Sequence, residues 1–287
     1  MESIYILKIE RLFVFLFFLL PFLKGFLLVF MFFFFLIIII VCYNILVMRR
    51  FFFNKENRTE NKIVLQADEF FHIKNVLRLV EGQKVICFCG DGNDYFCTIE
   101  NFLKESVVCH IDEIKKSDKT PTVNLTLFQG SLKLDKFEFV VQKMAELGLA
   151  TVIPFESAFS VAKIKDEKIS RLQKIATEAS KQCGRADVLQ VEPVVSFKQL
   201  LTKIKDYDMV IFAYEKESQN TLKNLKIETA GNKIAFIVGS EGGFSEKEAQ
   251  ELIAKGVKSV SLGTRILRAE TAPIVLGGMI MFLKNEI

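Results

Sequence analysis

Residues 236–248 read FIVGSEGGFSEKE: an apolar strand, a glycine turn and the opening of a helix. Ser245 and Glu248 have the S-x-x-E spacing of a capping box, so a helix is predicted from Glu246 to Lys255. Phosphate-binding loops use the same order of strand, glycine turn and helix, yet these residues argue against a phosphate. A Walker loop needs GxxxxGK[ST], with its lysine on the β- and γ-phosphates, whereas Gly242-Gly243 is followed by Phe244 and Ser245. A dinucleotide fingerprint needs GxGxxG after the first strand of its unit, and Gly239 to Gly243 gives GxxGG late in the chain. Glu241 would also repel a pyrophosphate. The plainer alternative is a tight turn that needs its glycines for backbone reasons alone.

About twenty residues on, LGTRILRAETAPIVLGG repeats the arrangement. A strand ends at Leu262-Gly263, a loop carries Arg265 and Arg268, and a helix opens near Thr271 with Pro273 in its first turn. Two such loops at neighbouring strand ends make a cleft. Ile266 and Leu267 between the arginines suit a flat aromatic ligand whose edges are read by backbone groups, which fits an adenosine better than a triphosphate.

Working outward, VNLTLFQG, TVIPF, MVIFAY, KIAFIVG and VKSVSLG read as strands. Helices alternate with them: Asp135 to Leu147 closed by Gly148, Asp166 to Cys183, and one capped by Ser196. This predicts an α/β sheet, largely parallel, with helices on both faces and ligands at the carboxyl ends of its strands. The polar stretch Lys115 to Pro121 marks a domain boundary. Before it, KIVLQADEFFHIKNVLRLV predicts a strand and a helix with an apolar face of Phe70, Ile73, Val76 and Leu77. Two strands around Gly90 to Asp94 and another over Val107 to Ile111 predict a small barrel.

The chain has 287 residues and a formal charge of +4. That mild basicity permits a nucleic-acid partner without requiring one. Six cysteines without a CxxC pair, and two histidines, do not make a structural zinc site. Cys87, Cys89 and Cys97 read as core thiols, and such usage fits a reducing cytosol. Gly25 to Val47 carries no charge and is long enough for a bilayer, which takes about 20 apolar residues. Residues 1–47 are therefore either a transmembrane leader, with Arg49-Arg50 holding the downstream chain in the cytoplasm, or the product of a mis-called start before Met48.

GSEGGFSEKE and LGTRILRAETAP together closely resemble signatures of the ribosomal RNA small-subunit (16S) uridine N3-methyltransferases, a branch of the trefoil-knotted SPOUT class. MRRFFF, HIKNVLRL, LKLDKFEFVVQKMAELG, EASKQCGR and AYE extend the resemblance from Met48 to the end. It implies an α/β fold: a knotted SPOUT methyltransferase domain over residues 121–287, preceded by a PUA-like RNA-binding β-barrel over residues 48–117. It further implies S-adenosylmethionine as cofactor, a homodimer, a cytoplasmic location, and 16S ribosomal RNA, within the small subunit, as partner. A membrane enters only if the leader is genuine.

By the same resemblance, the cofactor site is built from Tyr214, Glu215, Gly239, Glu241, Gly242, Gly243, Leu262, Gly263, Ile266, Leu267 and Arg268. A cationic sulfonium would tolerate Glu241. Arg268 beside the uracil carbonyls would stabilise the anion formed as N3 loses its proton, and Glu270 would take that proton or orient Arg268. Arg49, Arg50, His72, Lys74, Arg78, Lys133, Lys136, Lys181 and Arg185 are the expected RNA contacts, while His110 reads as structural. Ser240 and Thr264 stand where proline is usual, and Ala158-Phe159 replaces a Glu-Arg pair. These departures keep open a second reading, an RNA-binding protein that retains the fold and has lost the chemistry.

Overall fold

The computed structural model describes residues 48–287, together with Phe35. The predicted leader otherwise lies outside the described residues. Among the described residues no helix is long and apolar enough to cross a membrane.

The amino-terminal part is a five-stranded sheet in the order β1-β3-β4-β5-β2. Its strands are β1 (Arg50–Phe52), β2 (Lys62–Gln66), β3 (Lys84–Phe88), β4 (Asn93–Phe102) and β5 (Ser106–Lys116). Alternate residues of every strand turn to one side, where Phe51, Ile63, Leu65, Val85, Cys87, Tyr95, Cys97, Ile99, Val107 and Cys109 share a single core. A sheet whose two edge strands contribute to the same interior must curl. β1 and β2 are its unpaired ends.

Helix α1 (Ala67–Phe71) continues as a π-turn over His72–Val76. Leu77 N–H donates to His72 O at 2.9 Å, one residue further back than an α-helix would reach. That extra residue rotates Val76 off the inner face. Ile73 is buried and Phe70 and Leu77 pack beside it, as the spacing predicts, but Val76 is exposed. His110 is a second correction: on β5, it points to solvent while Cys109 points inward.

The second sheet has the order β12-β10-β11-β6-β7-β8, with β9 also on β7. It comprises β6 (Asn124–Gly130), β7 (Thr151–Glu156), β8 (Gln190–Val191), β9 (Val195–Ser196), β10 (Met209–Ala213), β11 (Lys233–Val238) and β12 (Lys258–Val260). Every pairing in it is parallel. Strands covered on both faces must be apolar on both, and β11 divides accordingly. Ile234, Phe236 and Val238 join the larger core, under α2 (Leu134–Glu146), α3 (Ile169–Cys183) and α6 (Ala272–Leu283). Ala235 and Ile237 join the smaller one, under α4 (Phe197–Lys203) and α5 (Glu246–Ala254). The alternation read from sequence is thus confirmed; the two-residue strands β8 and β9 are too short to have shown a pattern.

The two sheets meet through a small cluster of Phe52 and Phe88 with Ala186 and Val188. Polar ties surround it. Arg50 donates to Asp94 Oδ1 at 2.7 Å and to the carbonyl of Arg185 at 3.0 Å. Lys181 Nζ lies 2.9 Å from Glu69.

Candidate functional site

The glycine turn hangs from the carboxyl end of β11 and is anchored at both sides. Before it, Gln129 Nε2 donates to Gly239 O at 3.1 Å. After it, Phe244 is buried in the smaller core, edge-on to Phe212 with ring centroids 5.7 Å apart. Between these anchors Gly243 N–H donates to Ser240 O at 2.9 Å, and Gly243 takes φ +70°, a conformation that glycine adopts without steric cost. The predicted capping box is present: Glu248 N–H donates to Ser245 Oγ at 3.2 Å, and Ser245 N–H to Glu248 Oε2 at 2.9 Å.

The second loop leaves β12, which ends at Val260 rather than Leu262. β12 is not adjacent to β11. β10 lies between them, pairing Phe212 with both Ile237 and Ser259. The cleft is therefore formed at the carboxyl ends of three strands, and β10 contributes Tyr214 and Glu215. Tyr214 N–H donates to Val260 O at 3.1 Å, which fixes this third corner to the second loop.

Glu217 secures the same corner, accepting from Gln219 N–H at 2.9 Å, Asn220 N–H at 3.1 Å and the hydroxyl of Ser259. The Ser259 hydroxyl and these two amides hold its carboxyl down at about 2. A depressed carboxyl stabilises the corner fully above its ordinary value of 4.5 and loses that contribution as pH falls towards 2. Amide exchange at Gln219 and Asn220 is therefore expected to quicken, relative to the strand cores, on acidification through that window; Glu217→Gln should abolish the trend.

The cleft encloses about 920 Å³ of space free of protein atoms, part of it open to solvent. Tyr214, Glu215, Gly239, Glu241, Gly242, Gly243, Leu262, Gly263, Ile266 and Leu267 all line it, as the sequence leads one to expect. Arg268 does not. Ala269 beyond it lines the cleft again, but the Arg268 side chain is 83% exposed and 4.0 Å from Glu270. Arg265 is the one cationic side chain among the described lining residues, while Glu215 and Glu241 supply two carboxylates. A Cβ on Gly243 would stand 3.1 Å from Glu215 Oε1, so the bare turn and that carboxylate pack closely. Apolar surface, exposed peptide groups and two carboxylates suit an uncharged ring system bearing a cationic centre, and they disfavour a polyphosphate.

Sequence reasoning missed the buttress behind the glycine turn. Residues 157–160 dock against the glycine turn and the first turn of α5 through three contacts. Ala158 N–H donates to Glu248 Oε1 at 2.8 Å, Ser240 Oγ donates to Phe159 O at 3.1 Å, and Gly242 abuts Phe159. A Cβ on Gly242 would stand 2.6 Å from Phe159 Cβ and 2.9 Å from its carbonyl oxygen. Gly242→Ala is accordingly expected to displace the glycine turn from this buttress and weaken small-molecule binding to the cleft by roughly tenfold, since overpacking costs ~1–3 kcal/mol. Calorimetry on the folded variant checks it; wild-type affinity would show that the buttress yields freely.

A family profile described as an RNA methyltransferase domain matches residues 118–281, more than half of the chain, and one described as an RNA methyltransferase PUA domain matches residues 65–112. The ribosomal RNA small subunit methyltransferase E of Bacillus subtilis is 35% identical over 219 residues, covering 73% of this chain and 86% of that protein. The chain belongs to this RNA methyltransferase family. The relative of the same name in Rickettsia conorii is 29% identical over 235 residues, covering 81% of this chain and 95% of its own. Among solved structures, the ribosomal RNA small subunit methyltransferase E of Neisseria gonorrhoeae bound to S-adenosyl methionine superposes with a TM-score of 0.76 at 27% identity, over 83% of this chain and 98% of that one.

For an RNA methyltransferase the disposition of basic side chains matters, and the expected RNA contacts separate into two groups. Arg49, Lys74, Arg78 and Lys133 are exposed, and His72 is half-buried edge-on to Phe51. The others are engaged within the fold. Arg185 is 3% exposed and its guanidinium is spent on Asp187 and two backbone carbonyls; Arg50 is paired with Asp94; Lys181 is held by Glu69 and Glu178. These three differ from the expectation, because a side chain largely covered and paired inside the protein is poorly placed to meet a phosphate.

Lys136, another of the expected RNA contacts, is paired with carboxylates of both loops. From α2 it reaches Glu241 at 3.3 Å and Glu270 at 3.4 Å. Partial burial opposes its charge, but the two carboxylates outweigh that and raise its pKa above the ordinary lysine value. Nothing in the local sequence LKLDKFEF could have revealed partners more than a hundred residues away.

Proposed function

We propose that this chain transfers a methyl group from S-adenosylmethionine to N3 of one uridine in 16S ribosomal RNA. The observation that carries the reading is the three-cornered cleft at the carboxyl ends of β10, β11 and β12, with Arg268 and Glu270 at its edge. The Neisseria relative's bound cofactor and the relatives' shared name support it. Tyr214, Glu215, Glu241 and the backbone of residues 239–243 and 262–267 would hold S-adenosylmethionine, which supplies an activated methyl group when bound.

The rest is work for the chain's own side chains. Uridine N3 carries a proton at neutral pH and is a poor nucleophile until it leaves. Arg268, exposed and so open to an incoming base, would stabilise the imide charge through the uracil carbonyls. Glu270 would accept the proton or aim Arg268. Positioning at near-attack distance would account for much of the remaining rate.

We further propose a PUA-like RNA-binding domain up to residue 117, a knotted SPOUT domain from residue 121, a cytoplasmic homodimer, and the assembled small subunit as the RNA's context. Exposed Met279 and Phe282 on the uniformly apolar α6 favour dimerisation. Exposed Arg49, Lys74, Arg78 and Lys133 favour RNA.

The alternative of a fold without chemistry rested on Ser240, Thr264 and Ala158-Phe159. The Ser240 hydroxyl finds a partner in Phe159, so this substitution is accommodated rather than disruptive. Mass analysis of ribosomal RNA from a deletion strain, with purified protein restoring the lost modification, tests the reading. One missing methyl on a uridine of 16S RNA is the expected result; unaltered RNA, or a purified protein that does not bind S-adenosylmethionine, would overturn it.

A further inference from the structure

Two of the three cleft corners end in carboxylates that face one cation. Glu241 belongs to the glycine turn after β11, and Glu270 closes the second loop just before α6. Lys136 Nζ stands 3.3 Å from Glu241 Oε1 and 3.4 Å from Glu270 Oε2. The carboxylates are thus no further apart than those two contacts placed end to end. Glu270 is only 13% exposed, and its Oε2 is buried without a hydrogen bond, so the lysine ammonium is its nearest charge compensation. Lys136 is itself about two-thirds covered and sits on α2, whose Phe137, Val140, Val141 and Met144 are fixed in the larger core. A cation on a rigid helix, between like charges on two loops, draws those loops together; without it the carboxylates repel at short range.

Resting on the function proposed above, we propose that Lys136 is a positioning residue: it clamps the glycine turn to the arginine-bearing loop, thereby shaping the cleft and holding Glu270 where it can serve Arg268. It touches neither RNA nor the reacting atoms. This assignment opposes the phosphate-contact role that its basic character alone suggests.

The test compares the full-length wild type with Lys136→Met, which keeps the stem and removes the charge, and Lys136→Arg, which restores it. Amide hydrogen exchange on the ligand-free proteins reads the clamp directly. Residues 239–245 and 262–271 are expected to exchange faster in the Met variant, together, and to regain protection in the Arg variant. S-adenosylmethionine affinity by calorimetry and kcat should each fall by roughly tenfold in the Met variant, the scale of coupling within one ion network. The KM for RNA and the salt dependence of RNA binding should not change.

Unchanged exchange in both loops would overturn the proposal. So would retained kcat and cofactor affinity accompanied by a higher RNA KM and a salt slope reduced by about one, the signature of a lost phosphate contact. Glu241→Gln guards against a misfolded Met variant. It should loosen the same two loops, and faster exchange confined to residues 239–245 would also overturn the clamp. Failure of the wild type to bind S-adenosylmethionine would refute the proposed function instead, and the exchange result would still decide the clamp.

Discussion

Arg268→Ala is expected to leave S-adenosylmethionine affinity within about threefold of wild type while lowering the methylation rate by ~10²–10³-fold, the usual consequence of removing one aimed donor from a developing anion. The split follows from where the side chain lies. Leu267 lines the cleft and Arg268 does not; the guanidinium is 83% exposed, and its sole ion-pair partner among the described residues is Glu270 at 4.0 Å. Truncating it removes nothing from the cofactor's surroundings. A guanidinium that approaches the base only as charge forms on it should act on kcat, leaving RNA affinity nearly constant. Single-turnover methylation of small-subunit RNA, with calorimetry alongside, checks both halves. An equal loss of cofactor affinity would return Arg268 to the cofactor site where the sequence resemblance puts it, and an undiminished rate would remove it from the mechanism.

Sequence conveyed most of the second sheet because its strands are covered on both faces, which makes them short apolar runs between turn residues, and its helices are long enough to show a period. The two-residue strands β8 and β9 offer no period to read, and the π-turn after α1 breaks the helical spacing that had placed Val76 inside. For the site, most lining residues were legible because they lie in two contiguous motifs, with Tyr214 and Glu215 in the short AYE segment, and backbone-lined clefts are built from contiguous turns. The buttress formed by residues 157–160 and the reach of Lys136 were not, since each depends on contacts across roughly eighty residues or more. Charge was the least transparent property. A lysine or arginine looks the same in a sequence whether it faces a phosphate, as an exposed Arg78 can, or is itself buried against a half-buried carboxylate, as Arg185 is.

Arg185 supplies the second large effect. Replacing it with Met, of comparable length, is expected to destabilise the protein by ~2–4 kcal/mol, because two carbonyls lose their donor and a half-buried carboxylate is left unpaired. Its Nε donates to Asp187 Oδ1 at 3.0 Å, its Nη1 to Ala145 O at 2.8 Å and its Nη2 to Leu149 O at 2.9 Å. One guanidinium thus closes the end of α2, holds the chain after α3, and positions the carbonyl that accepts from Arg50 of the first sheet. Lysine cannot reproduce a fork with this many fixed donors, so Arg185→Lys should recover only a minor part of the loss. Asp187→Asn added to the Met variant should recover more, since it removes the stranded charge while the two carbonyls remain unsatisfied. Urea unfolding of the four proteins measures each step. If Arg185 were instead an RNA contact, the Met variant would unfold like wild type and bind RNA with a shallower salt dependence; its 3% exposure and filled donor set argue that stability, not the salt slope, is what will move.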